Sequence, residues 1–376
     1  MTTYLLAGGG TAGHVNPLLA VADRLRRDDP SASVLVLGTA EGLEARLVPL
    51  RGYELLTIPR LPFPRRPSRT ALGFPGRLRG AIDSIRRMIA EHDVDVVVGF
   101  GGYAAAPAYV AARRAGVPVV VHEANAKPGM ANVLGSRLTR HVGVVHASTR
   151  LRHARRVGMP LRVEIESLDR RNVRDEALAE LGLDDRRPVL LVTGGSIGAW
   201  RLNETMSEAA PAVLGAGWQV LHITGEKSDL VARGLDGQHL LRYCDRMDLA
   251  LAAADFVVSR AGSATVSELT ALGLPSVLVP YPVGNGEQRH NAADVVRAGG
   301  AVLVDDAAFT PAWVGSVLVP LLLDRARVAD MAVRAATVGV RDGTDRTVEL
   351  VRDALRGRGT RWRHPDETQT TPSEAP

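Results

Sequence analysis

Three glycine-bearing loops hold the residues best suited to chemistry. The first, Gly8-Gly9-Gly10-Thr11-Ala12-Gly13-His14, follows a short apolar run and leads into a helix predicted to open near Asn16-Pro17. A strand, a glycine turn and a helix start bring bare N–H groups up to a phosphate or a sugar oxygen. His14 stands at the mouth of this turn. An imidazole, with an ordinary pKa of about 6.5, can deprotonate an alcohol at neutral pH; a helix-start histidine with no chemical part is the alternative. The second loop, Thr193-Gly194-Gly195-Ser196-Ile197-Gly198-Ala199, repeats the arrangement, with Ser196 as part of a phosphate cradle. The third runs Ser259-Arg260-Ala261-Gly262-Ser263-Ala264-Thr265-Val266-Ser267-Glu268. Small hydroxyl residues and free N–H groups at a helix start suit a diphosphate. Glu268 can accept from two ribose hydroxyls. It can also be the far end of a Thr265-x-x-Glu268 capping box.

Competing patterns fit less well. Gly8-x-Gly10-x-x-Gly13 matches the dinucleotide fingerprint, yet the second strand ends Val36-Leu37-Gly38-Thr39, without the acid that would hold a ribose. Gly194-x-Ser196-x-Gly198 matches a hydrolase nucleophile elbow, but His222 falls within a predicted strand, and His239 and His290 have no evident acid partner. Asp93-x-Asp95 is the one tidy carboxylate pair for a metal. It precedes its strand, at the end away from the ligand face, so neither a metal nor a cofactor is expected. Two polar clusters, His122-Glu123-Ala124-Asn125 and Gly284-Asn285-Gly286-Glu287-Gln288, do stand at strand ends where ligands bind.

These loops need elements to position them. Apolar runs at Tyr4–Ala7, Val34–Leu37, Val94–Phe100, Val117–His122 and His141–Val145 alternate with longer Ala/Leu/Arg-rich segments. The pattern recurs at Pro188–Thr193, Gln219–Thr224, Asp255–Ser259, Ser276–Pro280 and Ala301–Val304. Continuous apolar strands between helices imply parallel sheets covered on both faces. Two α/β domains of doubly wound, Rossmann-like type follow, and a chain of 376 residues is long enough for both. The expected division is 1–160, 161–340, a C-terminal helix over 341–356 that packs back on the first domain, and a disordered polar tail over 357–376.

Hydrophobic residues at 45% and charged residues at 23% fit a folded soluble protein. The lone Cys244 rules out an internal disulfide and fits a reducing compartment. The start shows no signal-peptide pattern, and the longest uncharged run, 96–112, is broken by glycines and Pro107. A cytoplasmic body is expected. The net charge of +5 suits an acidic partner. Leu61–Arg79 reads as a loop in which Arg65, Arg66, Arg69, Arg77 and Arg79 interleave with Phe63, Leu72, Phe74 and Leu78, with no acid among them. That mixture suits anionic lipid headgroups. It lacks the spacing of a stacking platform, so no nucleic acid is expected.

The loops together resemble those of the MurG family, the transferases that add N-acetylglucosamine to lipid I in peptidoglycan synthesis. The resemblance rests on GGGTAGHVNPLLAVA at the start, GFGGYAAAP at 99–107, HEANAKPGMAN at 122–132, TGGSIGA at 193–199, SRAGSATVSELTALGLPSVLVPY at 259–281 and EQRHNA at 287–292. It spans about residues 1–350. It implies a GT-B fold, with two domains facing a central cleft, and an inverting transfer from UDP-N-acetylglucosamine to lipid I at the cytoplasmic face of the membrane. It also implies site residues. Thr11, Ala12, Gly13 and Asn125 would help bind the donor sugar, and Arg162 would lie near its phosphates. Ser196 matches the serine of the second loop, and Cys244 would meet the uracil through its backbone. Ser263, Ala264, Thr265, Val266, Ser267 and Glu268 would take diphosphate and ribose, Gln288 would read sugar hydroxyls, and His14 would be the base. The chain departs from the family at Met159, Ile197 and Glu287, and Glu287 puts a carboxylate beside the donor sugar site. Other readings are a GT-B transferase acting on another lipid or a natural product, and a membrane-surface scaffold with a degenerate site.

Overall fold

The computed structural model describes residues 1–64, 72–195, 199–283 and 285–357. Its β-branched runs form the inner strands of two parallel sheets. Seven strands make the first: β1 (Thr3–Ala7), β2 (Ser33–Gly38), β3 (Glu54–Thr57), β4 (Val96–Gly99), β5 (Val119–Glu123), β6 (His141–Val144) and β7 (Ala154–Arg156). Their order is β3-β2-β1-β4-β5-β6-β7. Six make the second: β8 (Val189–Thr193), β9 (Gln219–Ile223), β10 (Gln238–Leu241), β11 (Phe256–Ser259), β12 (Ser276–Leu278) and β13 (Ala301–Leu303), in the order β10-β9-β8-β11-β12-β13. All pairings are parallel.

Residues of β1, β4, β5, β8 and β11 are buried on both faces, as the uninterrupted apolar runs require. The edge strands β3, β7 and β10 lack such runs and have no counterpart in the sequence reading. Asp95 stands at the start of β4, where its Oδ2 accepts the Thr3 N–H at 2.9 Å.

Each sheet reverses its strand order once, between β1 and β4 and between β8 and β11. A doubly wound sheet opens a crevice at such a point, beyond the carboxyl ends of the strands. The three glycine loops follow β1, β8 and β11, so all three lie at these reversals.

The helix Gly343–Arg356 returns to the first sheet. Its Val348, Leu350, Val351 and Ala354 are buried with Tyr4, Leu6, Val15 and Leu18. Arg352 bonds Asp28 at 2.6 Å, and Arg24 pairs with Asp345. Gly158, at φ +83, meets Val340, and Gly343 meets the Met159 backbone, so the two chain crossings between the halves pack on each other.

Candidate active site between the two domains

The first glycine loop is clamped by a residue absent from the sequence reading. Glu44, in the helix Glu44–Leu50, is 1% exposed. Its Oε2 accepts the Gly10 N–H at 2.7 Å, and its Oε1 accepts the Thr39 N–H at 2.9 Å and the Thr39 hydroxyl at 2.8 Å. Burial alone would raise its carboxyl, but the N–H groups that it receives hold it below the ordinary value. A Cβ on Gly9 or Gly42 would strike this carboxylate, one on Gly38 would strike the Glu44 Cγ, and one on Gly102 would strike the Gly9 carbonyl. The glycines therefore make room for close approach of backbone and acid.

His14 lies in the first turn of the helix Ala12–Asp28, half-buried. Its Nδ1 stands 3.1 Å from the Gly9 carbonyl. A carbonyl only accepts, so Nδ1 carries the hydrogen and Nε2 of the neutral ring keeps a lone pair. Burial pushes its pKa below the ordinary imidazole value, while the Gly9 carbonyl and the Glu44 charge pull it upward. Thr11 is exposed at the N-cap, and Ala12 and Gly13 open the helix.

The loop after β5 is built around a second buried carboxylate. Glu123 accepts the N–H of Asn125 at 2.8 Å, the N–H of Gly129 at 3.0 Å and the Asn132 amide at 2.9 Å. Asn132 in turn accepts the Tyr109 hydroxyl at 2.7 Å. His122 donates Nε2–H to the Gly158 carbonyl at 3.1 Å, and its Nδ1 has no partner among the described residues. Burial lowers the His122 pKa to about 4.

This loop joins the two halves. The Ala126 N–H donates to Asn291 Oδ1 at 2.9 Å, and Asn291 Nδ2 reaches Asn125 Oδ1 at 3.3 Å. The Ser263 hydroxyl donates to the Ala124 carbonyl and accepts from His146 Nε2 at 2.9 Å. His146 is buried, with its pKa lowered by that burial to about 4. Lys127 Nζ donates to the Asn285 carbonyl at 2.8 Å. Asn291 sits within the EQRHNA motif but was not singled out as a contact.

The third loop opens the helix Ser263–Ala271, whose N-cap is Gly262; among the described residues no side chain caps it. Thr265 is inside the first turn, not at the cap, so the capping box does not form. Glu268 instead stands 3.5 Å from Arg162 Nη2. Its pKa is raised by burial, with Arg162 opposing. Ala264 and Thr265 are partly open, whereas Val266 and Ser267 are buried. The Ser263 side chain thus bonds residues of the first domain.

Gln288 is the second residue of the short helix Glu287–Asn291, and its Oε1 accepts the Tyr281 N–H at 2.9 Å. Cys244 is half-buried after β10, with its thiol raised by burial. Ser196 lies outside the described residues, as do Arg65, Arg66 and Arg69 of the basic stretch. That stretch is not a loop throughout. A helix Phe74–Glu91 begins within it, with Pro75 in its first turn and Ile82, Ile85 and Ile89 buried, so Arg77 and Arg79 are helical. Phe63 and Phe74 meet edge to face at 5.5 Å, with Phe63 59% and Leu72 85% exposed. Among the described residues no helix is long and apolar enough to cross a membrane.

Residues 4–144 match the Glycosyltransferase family 28 N-terminal domain, and residues 189–347 match the Glycosyltransferase family 28 C-terminal domain. The chain belongs to glycosyltransferase family 28. Within that family it groups with MurG. A protein of Leifsonia xyli subsp. xyli is 67% identical over 355 residues, 94% of this chain and 99% of its own length. One of Streptomyces coelicolor is 51% identical over 361 residues, 95% of this chain and 99% of its own. Both are named UDP-N-acetylglucosamine--N-acetylmuramyl-(pentapeptide) pyrophosphoryl-undecaprenol N-acetylglucosamine transferase. The crystal structure of Acinetobacter baumannii MurG superposes with a TM-score of 0.77 at 28% identity, covering 94% of this chain and all of that one. The calicheamicin glycosyltransferase CalG4, with a TM-score of 0.67 at 18% identity over 95% of this chain and 99% of that one, shares the fold. The family 28 chain thus has a GT-B fold of two parallel-sheet domains, and it is a glycosyltransferase.

Proposed function

We propose that the chain transfers N-acetylglucosamine from UDP-N-acetylglucosamine to the undecaprenyl-pyrophosphoryl N-acetylmuramyl pentapeptide, lipid I, yielding lipid II for peptidoglycan. One observation carries this reading: glycine loops at the strand-order reversals of both sheets, with the β5 loop of the first domain bonded to Ser263 and Asn291 of the second.

In this reading the donor diphosphate lies at the start of the helix Ser263–Ala271, against the N–H groups of Ser263, Ala264 and Thr265 and the dipole of that helix. Arg162 adds a positive charge as the diphosphate departs. Glu268 receives the ribose hydroxyls, Gln288 and Asn125 meet the sugar, and the backbone at Cys244 meets the uracil. An acceptor hydroxyl oxygen attacks the anomeric carbon, and its proton passes to His14 Nε2. The bond to the diphosphate oxygen breaks, with its electron pair leaving on UDP. A single displacement inverts the anomeric centre.

The acceptor lies in a membrane, and Leu61–Arg79 supplies apolar and basic side chains suited to an anionic surface. In this reading the chain works at the cytoplasmic face as a peripheral protein. Mass spectrometry of products formed from UDP-N-acetylglucosamine tests the acceptor. A lipid I analogue should gain one N-acetylhexosamine while diacylglycerol gains none. Transfer to diacylglycerol alone would overturn the reading, as would donor turnover with no acceptor present.

A further inference from the structure

We infer that Glu44 is a positioning residue for the transfer reaction, acting on His14 through the single peptide group that links Gly9 to Gly10. The inference rests on the reading of His14 as the base.

Glu44 Oε2 accepts the N–H of Gly10 at 2.7 Å, and the carbonyl of the same peptide group, that of Gly9, accepts Nδ1–H of His14 at 3.1 Å. A trans peptide points its C=O and N–H in opposite directions. One amide plane therefore lies between a carboxylate and an imidazole. The negative charge at its N–H end polarises the amide and makes the Gly9 oxygen a stronger acceptor. When Nε2 takes the acceptor's hydroxyl proton, the ring becomes a cation, and that carbonyl and the charge behind it stabilise it. The buried aspartate of a Ser-His-Asp site does the same by direct contact; here one peptide intervenes. The proton stops at Nε2. Nδ1 keeps its hydrogen, and Glu44 stays ionised throughout.

The surroundings fix this geometry from several sides. Thr39 holds the other carboxylate oxygen with its N–H and its hydroxyl. Gly9, Gly38 and Gly42 crowd the Glu44 side chain so closely that a Cβ on any of them would collide with it. Gly102, from the loop after β4, seats the Gly9 carbonyl. Among the described residues, the other titratable groups that act on the pair are His122, buried and neutral, and Arg60, whose exposed guanidinium lies over Tyr103 and bonds its hydroxyl at 3.3 Å. Among the described residues, Glu44 is thus the buried anion that acts on His14.

Glu44→Gln tests the idea in the full-length chain by steady-state transfer to a lipid I analogue. The value of kcat should fall roughly tenfold, the worth of about 1.4 kcal/mol of charge stabilisation, with the donor KM held. Loss of the carboxylate lowers the imidazole pKa, so the acid limb of the kcat/KM profile should move to lower pH. A residue that merely tethers the loop would raise KM or lower the thermal midpoint and leave that limb in place, which would overturn the inference. Thr39→Val removes one bond to the carboxylate but keeps its charge, and its acid limb should match wild type. If Glu44→Gln does not fold, Glu44→Asp withdraws the charge from the Gly10 N–H. Its acid limb should also move down, and an unmoved limb in a folded Glu44→Asp overturns the proposal. Combination with His14→Ala separates the two readings. Glu44→Gln should cost little once His14 is gone, whereas an equal cost in both backgrounds refutes the link. A wild-type rate for His14→Ala alone would instead remove the base, and this inference with it.

Discussion

Glu268→Ala should cut donor affinity while barely touching the fold. The Glu268 carboxylate stands 3.5 Å from Arg162 Nη2, and the two side chains keep 19% and 31% of their surface open. An ion pair so placed contributes about 0–1 kcal/mol. Its loss should lower the thermal midpoint of a chain this size by no more than about 4 °C. The ribose contact weighs more. A hydrogen bond to a charged acceptor contributes about 1.5–3 kcal/mol, and two hydroxyls on one carboxylate give about 3 kcal/mol at the low end. That converts to a dissociation constant raised about 150-fold. Calorimetric titration with UDP and with its 2′,3′-dideoxy counterpart isolates the contact. Wild type should favour UDP by about that factor, and Glu268→Ala should bind both alike. If the variant keeps the full preference for UDP, Glu268 does not read the ribose, and the assignment of the third loop is wrong.

Asn291→Ala removes the acceptor of the Ala126 N–H across the domain junction and leaves that buried donor unpaired. The expected loss is about 1–3 kcal/mol in denaturant unfolding, and no loss would show the joint to be incidental. The buried rings of His122 and His146 bear on acid stability. Both have folded pKa values lowered to about 4, whereas an unfolded imidazole titrates at about 6.5. Between those values the unfolded chain binds the extra proton, so stability falls as pH drops through that window. His146→Phe should flatten the slope of unfolding free energy between pH 6.5 and 4, and an unchanged slope would contradict the assignment. Exchanging exposed Phe63 and Leu72 for Ser should weaken sedimentation with vesicles of anionic lipid. Added salt should weaken the remainder, since the arginines act through screened charge. Equal binding to neutral vesicles would argue against the basic stretch.

The inner architecture was legible because strands buried on both faces must be apolar without interruption, and VLLVT and FVVS can hardly be anything else. Edge strands carry no such signature. ELLT, ARR and QHLL are half-exposed or exposed and are held in place by a neighbour's backbone. The glycine loops were legible for the same local reason, a strand that runs straight into glycine and then a helix. Glu44 was not. A glutamate in the first turn of a helix ordinarily faces water, and the partner that gives this one its meaning, the Gly10 N–H, is 34 residues away. Asn291 was hidden in another way, since its partner Ala126 lies 165 residues back and the bond exists only once the two domains meet. The capping box failed because the chain places Gly262 at the N-cap, one turn before the position that Thr265 would need.

A crystal structure of the full-length chain with UDP-N-acetylglucosamine tests the shared cleft most directly. The diphosphate should sit on the N–H groups of Ser263 to Thr265, with ribose on Glu268 and the sugar turned toward Asn125 of the other half. A nucleotide bound away from the Ser263–Ala271 helix, or a sugar that points away from the first domain, would contradict the account.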